Sequence, residues 1–544
     1  MTLGPLIVQS DKTALLEVNH PQASDARHDL AVFAELERAP EHIHTYRITR
    51  LGLWNARAAG HDSSFVLDVL DKYAKFAIPT SVRNDIIDTM SRYGRLTIER
   101  GSDNQLLLHS TDRAVLLEAS KQSKIAALLE GPVGNEAFAI APWARGQVKQ
   151  ELLKLGWPAE DLAGYAPGTP HAIALAEIGW QMRDYQSQAI AKFWEGGSGV
   201  VVLPCGAGKT IVGAGAMSVA KTNTLILVTN TVSARQWKQE LLKRTTLTED
   251  EIGEYSGSVK EIKPVTIATY QILTTKSKGE FAHLALFNAN DWGLIIYDEV
   301  HLLPAPIFKM TADLQARRRL GLTATLVRED GKEGEVFSLI GPKRYDAPWK
   351  DIEAQGYIAP AACFEVRVDL PDEARLDYAI ASQDERYRLA ATASVKIDVI
   401  KDLLKKHRGE PTLVIGQYLE QLHEVAEALG VPLITGQTPI DERERLFQAF
   451  REGSVLTLVV SKVANFSIDL PEASVAIQIS GSFGSRQEEA QRLGRLLRPK
   501  ADGRTANFYT LISRDTVDQD FAQNRQRFLA EQGYSYEILD AHSI

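Results

Sequence analysis

Apolar and polar positions divide the chain into two unlike parts. Up to about residue 174 the signals are short and mixed. Leu6-Ile-Val-Gln9 and Ala14-Leu-Leu-Glu-Val18 read as short strands, and His42-Ile-His-Thr-Tyr-Arg-Ile-Thr49 alternates. Phe65-Val-Leu-Asp-Val-Leu70 has helical spacing. A second helix is predicted from Ser81 to Tyr93, with Ile86, Ile87 and Met90 on one side and Gly94 as its stop. Arg95-Leu-Thr-Ile-Glu-Arg100 and Gln105-Leu-Leu-Leu-His109 then flank Gly101-Ser-Asp-Asn104, a hairpin signal. Helix, helix and hairpin together predict a winged-helix-like module, a type that binds DNA or protein. Phe138–Ala141 reads as a strand and Ala144–Leu155 as a helix. A Pro- and Gly-rich linker follows to His171.

From about residue 175 the pattern changes to repeated strand–helix units. Apolar runs at 199–203, 224–229, 264–269, 293–297 and 319–322 alternate with helical stretches. That pattern predicts a parallel α/β sheet, which binds ligands beyond the carboxyl ends of its strands. A second series follows at 412–416, 432–435, 455–460, 474–479 and 506–511. The charged stretch Asp369–Lys406 between them reads as a helical connector or thumb. The expected fold is therefore α/β: two tandem parallel-sheet lobes preceded by small α+β domains, one of them winged-helix-like. The expected units are 1–130, 131–174, 175–368, 369–406 and 407–544.

Composition narrows the class. The 44% hydrophobic and 24% charged residues are ordinary for a globular chain, and no apolar run reaches a membrane span. Two cysteines, Cys205 and Cys363, exclude a disulfide framework and a cysteine-rich zinc site, and fit a reducing cytoplasm. His42 and His44 have no third ligand nearby and read as solvent-facing or packing residues. A net charge of −9 argues against a carpet-like basic binder. It leaves room for a motor that follows a nucleic-acid backbone through local grooves.

The chemistry gathers in the second part. Val200–Leu203 is a buried-strand run, followed by Pro204-Cys205-Gly206-Ala207-Gly208-Lys209-Thr210 and a helix. Glycines here let the backbone approach phosphates, and the helix start favours an anion. Lys209 reaches the β- and γ-phosphates, and the Thr210 hydroxyl holds Mg²⁺. Leu203 stands where the full phosphate-loop pattern has glycine. Leu294-Ile-Ile-Tyr-Asp298-Glu299-Val-His301 is an apolar strand ending in two carboxylates. Asp298 suits a metal and Glu299 suits a base for the attacking water. Thr323 and Thr325 follow a further strand and can relay nucleotide state. Arg495 and Arg498, on one face of the predicted helix Gln487–Arg498, can reach across a cleft to a transferring phosphoryl group. Gln186, in Trp180-Gln-Met-Arg183-Asp-Tyr-Gln186, offers the paired donor and acceptor that an adenine edge takes.

In this order the set resembles a superfamily 2 helicase, and more narrowly the XPB family of DNA repair helicases. The resemblance rests on Leu322-Thr-Ala-Thr-Leu-Val-Arg328-Glu329-Asp330, Ile340-Gly-Pro-Lys343, Ser467-Ile-Asp469-Leu-Pro-Glu-Ala473, Gln491–Lys500 and Arg525–Gly533, and it spans about 175–540. It implies two RecA-like lobes and ATP with Mg²⁺ as nucleotide and cofactor. It also implies translocation 3′→5′ along DNA and work in nucleotide excision repair. Residues 1–130 resemble the N-terminal domain of bacterial members, and 137–170 fall where the family has its damage-recognition domain.

By resemblance, Asp298 takes the metal, Glu299 is the base, and Gln491, Arg495 and Arg498 act on the phosphoryl group. Arg183, Gln186 and Cys205–Thr210 hold the nucleotide, and Arg328, Glu329 and Asp330 act at the DNA fork. Turns at Thr229, Thr269 and Thr435 are expected to touch the DNA backbone. Ser461–Phe466 departs from the family, which often has a glycine and an acidic residue there. The long N-terminal extension of eukaryotic members is not expected here, so their transcription-factor contacts are not carried over.

The expected function is an ATP-dependent DNA helicase or duplex translocase acting on single-stranded, forked or damaged DNA, with a nuclease or repair protein as a candidate partner. An RNA-dependent ATPase would share every nucleotide motif. A restriction motor would need a set of nuclease carboxylates, which is not found. A non-catalytic scaffold would not need Lys209, Asp298, Glu299 and Arg495 intact.

Overall fold

A computed structural model describes residues 4–40, 42–204, 206–277, 280–315, 317–324, 332–347, 352, 361–461, 473–481, 505–531 and 536–544. Four sheets carry the architecture. The N-terminal sheet is antiparallel, in the order β1 (Leu6–Val8), β2 (Thr13–Glu17), β4 (Ile43–Arg47), β3 (Glu35–Arg38). Alternation buries Ala14, Leu16, Leu36 and Tyr46. The helices Arg50–Ala58, Ser63–Tyr73 and Thr80–Arg92 close that core with Leu53, Val66, Leu70, Ile86 and Met90.

The hairpin does not join them. Its strands, β5 (Thr97–Arg100) and β6 (Leu106–His109), enter a separate sheet ordered β7 (Leu129–Val133), β8 (Ala137–Ile140), β6, β5, β9 (Glu160–Asp161). This sheet has its own core with Leu96, Ile98, Leu108, Val148 and Leu152. The expected winged-helix grouping is thus corrected. The two helices and the hairpin belong to different cores, and the break falls near Tyr93–Arg95 instead of residue 130.

The first large sheet is wholly parallel. Its order is β12 (Ile252–Tyr255), β13 (Val265–Thr269), β11 (Thr224–Val228), β16 (Leu294–Asp298), β17 (Arg318–Thr323), β10 (Gly199–Val202), β18 (Lys343–Asp346). Its central strands are covered on both faces, so they are continuous apolar runs without alternation. A two-stranded ribbon, β14 (Lys276–Ser277) with β15 (Glu280–Phe281), stands apart from it.

The second large sheet is also parallel. Its order is β21 (Leu433–Ile434), β22 (Thr457–Ser461), β20 (Thr412–Gly416), β23 (Val475–Gln478), β24 (Ala506–Ser513), β19 (Ala361–Val368), β25 (Tyr536–Asp540). The expected boundary moves here too. β19 pairs along its whole length with β24, so the second lobe begins at 361 and not 407. The connector forms three helices, Asp372–Ile380, Gln383–Ala391 and Lys396–Lys406, and the last buries Val399, Ile400 and Leu403 in the second lobe's core.

The N-terminal domain touches both lobes. The Lys343 N–H donates to Asn55 Oδ1 at 2.8 Å, at the edge strand of the first lobe. Ala530, on the second lobe's helix Val517–Glu531, is part of the N-terminal domain's buried cluster. Among the described residues no helix is long and apolar enough to cross a membrane.

Candidate active site

The site is built at the carboxyl ends of β10, β16 and β17, three strands side by side in the order β16, β17, β10. β10 runs into the glycine loop. Gly206 and Gly208 both have left-handed backbone, with φ +82° and +80°. A Cβ on Gly208 would lie 2.4 Å from Gln186 Nε2, so only glycine fits there. Lys209 and Thr210 then open the helix Lys209–Ala220. Leu203, where the phosphate-loop pattern has glycine, is fully buried, and its N–H donates to Thr323 O at 2.9 Å. It continues the strand by one residue, which explains why a side chain is tolerated there.

Helix Asp184–Gly196 braces the loop from behind. Gln186 is 1% exposed. Its Oε1 accepts from the Arg183 N–H at 3.0 Å, and its Nε2 donates to Ala207 O at 2.9 Å. Tyr185 OH donates to the same carbonyl at 2.7 Å, and Arg183 Nη1 donates to Tyr185 at 3.0 Å. The amide expected at an adenine edge is turned onto the phosphate loop in this structure.

β16 ends in Asp298. Glu299 next to it takes φ +50°, ψ +55°, a left-handed conformation that is costly for a residue with a Cβ. That turn aims successive carboxylates in different directions. Asp298 Oδ2 accepts from Trp237 Nε1 at 2.9 Å, its Oδ1 accepts from the Glu299 N–H at 3.1 Å, and Tyr270 OH donates to its backbone carbonyl at 2.8 Å. Glu299 Oε1 accepts from Lys209 Nζ at 2.5 Å, and its Oε2 lies 3.6 Å from His301 Nδ1. That same ring nitrogen is 2.7 Å from Thr323 Oγ1. One contact chain therefore runs Lys209, Glu299, His301, Thr323, across all three strands.

The two carboxylates are driven apart in acidity. Burial and the neighbouring Glu299 push Asp298 up to about 6, against Lys209 and Trp237. Burial also acts on Glu299, but Lys209 and His301 outweigh it and hold its carboxyl below the usual range. A charged base beside a carboxyl whose charge a nearby cation would favour suits phosphoryl transfer.

The donor set fits a nucleotide phosphate with Mg²⁺. It has two left-handed glycines, a lysine and a threonine at a helix start, and a carboxylate, Asp298, whose two hydrogen bonds fix its direction. Sequence reasoning missed Trp237, Tyr185 and Tyr270, because contacts made across 61, 22 and 28 positions carry no local signal. One hint is Gly213. A Cβ there would lie 2.4 Å from the Trp237 ring, so this helix glycine lets the indole approach.

The remaining candidates are spread. Thr229 is half-buried, 3.3 Å from Ser233 Oγ. Thr269 is buried and caps helix Tyr270–Thr274 with its hydroxyl, so its side chain is not presented as a backbone contact. The Thr435 N–H donates to Thr438 Oγ1 at 2.9 Å in an exposed turn. Cys205, Thr325, Arg328, Glu329, Asp330, Gln491, Arg495 and Arg498 lie outside the described residues.

Family models match three segments: one described as ERCC3/RAD25/XPB C-terminal helicase at 352–543, one as type III restriction enzyme, res subunit, at 179–328, and one as helicase conserved C-terminal domain at 6–131. The chain is similar to a DNA 3′-5′ helicase XPB of Kineococcus radiotolerans, with 68% identity over 100% of this chain and 98% of that one. It is 64% identical to the protein of the same name from Mycobacterium tuberculosis, over 100% of this chain and 99% of that one. A general transcription and DNA repair factor IIH helicase/translocase subunit XPB of Enterocytozoon bieneusi is 34% identical, over 98% of this chain and 92% of its own length.

Proposed function

This chain belongs to the XPB family of superfamily 2 helicases, and from that premise we propose that it is an ATP-dependent 3′→5′ DNA helicase or duplex translocase of DNA repair. The observation that carries the reading is the contact chain from Lys209 through Glu299 and His301 to Thr323, laid beside a loop shaped for phosphates.

Without nucleotide, Lys209 is held by Glu299. ATP arriving at the glycine loop offers Lys209 a phosphate and frees the carboxylate. Glu299 then orients a water in line with the γ-phosphorus and accepts its proton as the P–O bond to the leaving ADP breaks. Thr210 and Asp298 would hold Mg²⁺, which when bound offsets charge on the phosphate oxygens. His301 and Thr323 pass the position of Glu299 to β17, and so toward the loop that follows it. Arg495 and Arg498, with Gln491, complete the site from the second lobe.

Repeated closing and opening of the lobes moves turns such as those at Thr229 and Thr435 along the DNA backbone, with Arg328, Glu329 and Asp330 at the fork. A nuclease partner would supply the incision that a motor alone does not. The setting is cytoplasmic in this reading. The test is strand displacement on duplexes with one single-stranded tail. A 3′ tail supports unwinding in the presence of ATP and a 5′ tail does not; the reverse preference, or displacement without ATP, defeats the proposal.

A further inference from the structure

The second lobe hides an unusual pair of amides. Gln478, the last residue of β23, is 1% exposed, and neither its Oε1 nor its Nε2 has a hydrogen-bond partner. Gln417 follows β20, and its Oε1 is likewise buried without a partner. β20 and β23 are neighbours, with Ile415 opposite Gln478 in register. Strand alternation places Gln478 on the face of Ala476, and the same alternation puts Ile415 and Gln417 on one face of β20. Ile415 and Ala476 share one buried cluster, so both amides lie on one side of the sheet.

Their place in the topology matters. The chain leaves β20 toward β21 and β22 on one side and leaves β23 toward β24 on the other. The gap between β20 and β23 is the switch point of this sheet, where open α/β sheets bind ligands outside the strand ends. A buried amide without partners bears its full desolvation cost. Such a cost is tolerated where another arrangement of the protein pairs the group.

The strand ends of this lobe also carry an unbalanced cation. Arg443 is 7% exposed, donates to the Thr435 and Thr438 carbonyls at 3.3 and 3.0 Å, and has an unpartnered Nε. Among the described residues no carboxylate pairs with it. It lies beyond β21, with β22 between it and β20, and a cation at the strand ends of this lobe favours a phosphate-bearing ligand.

We infer that Gln478 is a positioning residue for DNA, with its amide paired only in the arrangement of the second lobe that DNA stabilises. The inference rests on the DNA-motor reading and deepens it. Apolar replacement by a side chain of similar shape should then act with opposite signs on stability and on DNA response. It relieves the unpaired amide in the free protein and removes bonds formed in the bound one.

The experiment uses the full chain as wild type, Gln478→Met and Gln478→Leu. It measures Tm without ligand, the dissociation constant of a fluorescent single-stranded DNA, the half-stimulating DNA concentration and maximal turnover in ATP hydrolysis, and the affinity for a non-hydrolysable ATP analogue. Both variants should melt about 3 °C higher. Both should need about tenfold more DNA for half-stimulation and for binding, with maximal turnover and analogue affinity changed less than about twofold. A fall in Tm in both variants overturns the inference, because the amide is then paired in the free protein. A raised Tm with unchanged DNA dependence, or a loss of analogue affinity in place of DNA affinity, overturns it too. Wild-type hydrolysis that ignores DNA is a different failure: it removes the motor reading and this inference with it.

Discussion

Replacing Glu299 by Gln should make ATP bind more tightly while abolishing its hydrolysis. Lys209 and Glu299 meet at 2.5 Å, with side chains 12% and 16% exposed. At an effective dielectric of ~20, their attraction is roughly 7 kcal/mol before desolvation. Desolvation removes most of that, and a hydrogen bond to a charged group is worth about 1.5–3 kcal/mol net. Nucleotide must displace this contact to take Lys209 onto its phosphates. The neutral amide introduced by Glu299→Gln still accepts a bond from Lys209, worth about 1 kcal/mol. The difference, about 0.5–2 kcal/mol, is roughly a two- to thirtyfold gain in affinity. Titrating wild type and Glu299→Gln with a fluorescent ATP analogue, in the absence of DNA, measures it directly. Unchanged or weaker binding would refute the idea that Glu299 competes with ATP for Lys209.

Three further outcomes follow from buried groups. Burial, then Arg27, pushes His44 down from 6.5 to about 4, so the folded N-terminal domain favours the neutral ring. Its stabilising share is complete above pH 6.5 and is lost as pH falls toward 4, about 3 kcal/mol at about 1.4 kcal/mol per pH unit. Thermal melts of wild type and His44→Gln should converge as pH falls through this window. Lys396 and Asp518 form an ion pair at 3.0 Å, 1% and 2% exposed, and Ser513 N–H also donates to Asp518. Asp518→Ala leaves that ammonium buried without its carboxylate, held only by carbonyls such as those of Ala391 and Ile479, and denaturant unfolding should show a loss of about 3–5 kcal/mol in the transition of the second lobe. Gly213→Ala should push the Trp237 ring off Asp298, and steady-state assays should show turnover down roughly tenfold, the equivalent of one hydrogen bond to a charged acceptor.

The core strands of both lobes were legible because parallel strands buried on both faces are long apolar runs. Val200–Leu203 and Leu294–Tyr297 cannot be exposed anywhere without large cost. Three polar edge strands were not legible, although β1 and β21, also at sheet edges, were. β12, β18 and β25 hold Glu254, Lys343, Arg344, Glu537 and Asp540, and read as loop or helix surface. Domain boundaries failed for a related reason: pairing is non-local. Nothing within 95–109 says that its hairpin joins residues 129–140 instead of the preceding helices, and nothing within 361–368 says that its partner lies at 506–513. The phosphate loop and the two carboxylates were visible from spacing. The groups that aim them, Trp237, Tyr185 and Tyr270, became visible only once the strands were side by side.

Steady-state ATP hydrolysis, with no nucleic acid, forked DNA, single-stranded DNA and RNA in turn, tests the central claim most directly when wild type and Glu299→Gln are run together. The account predicts that either DNA raises wild-type turnover well above RNA, and that Glu299→Gln is silent throughout. Equal stimulation by RNA, or hydrolysis that survives the loss of Glu299, would contradict it.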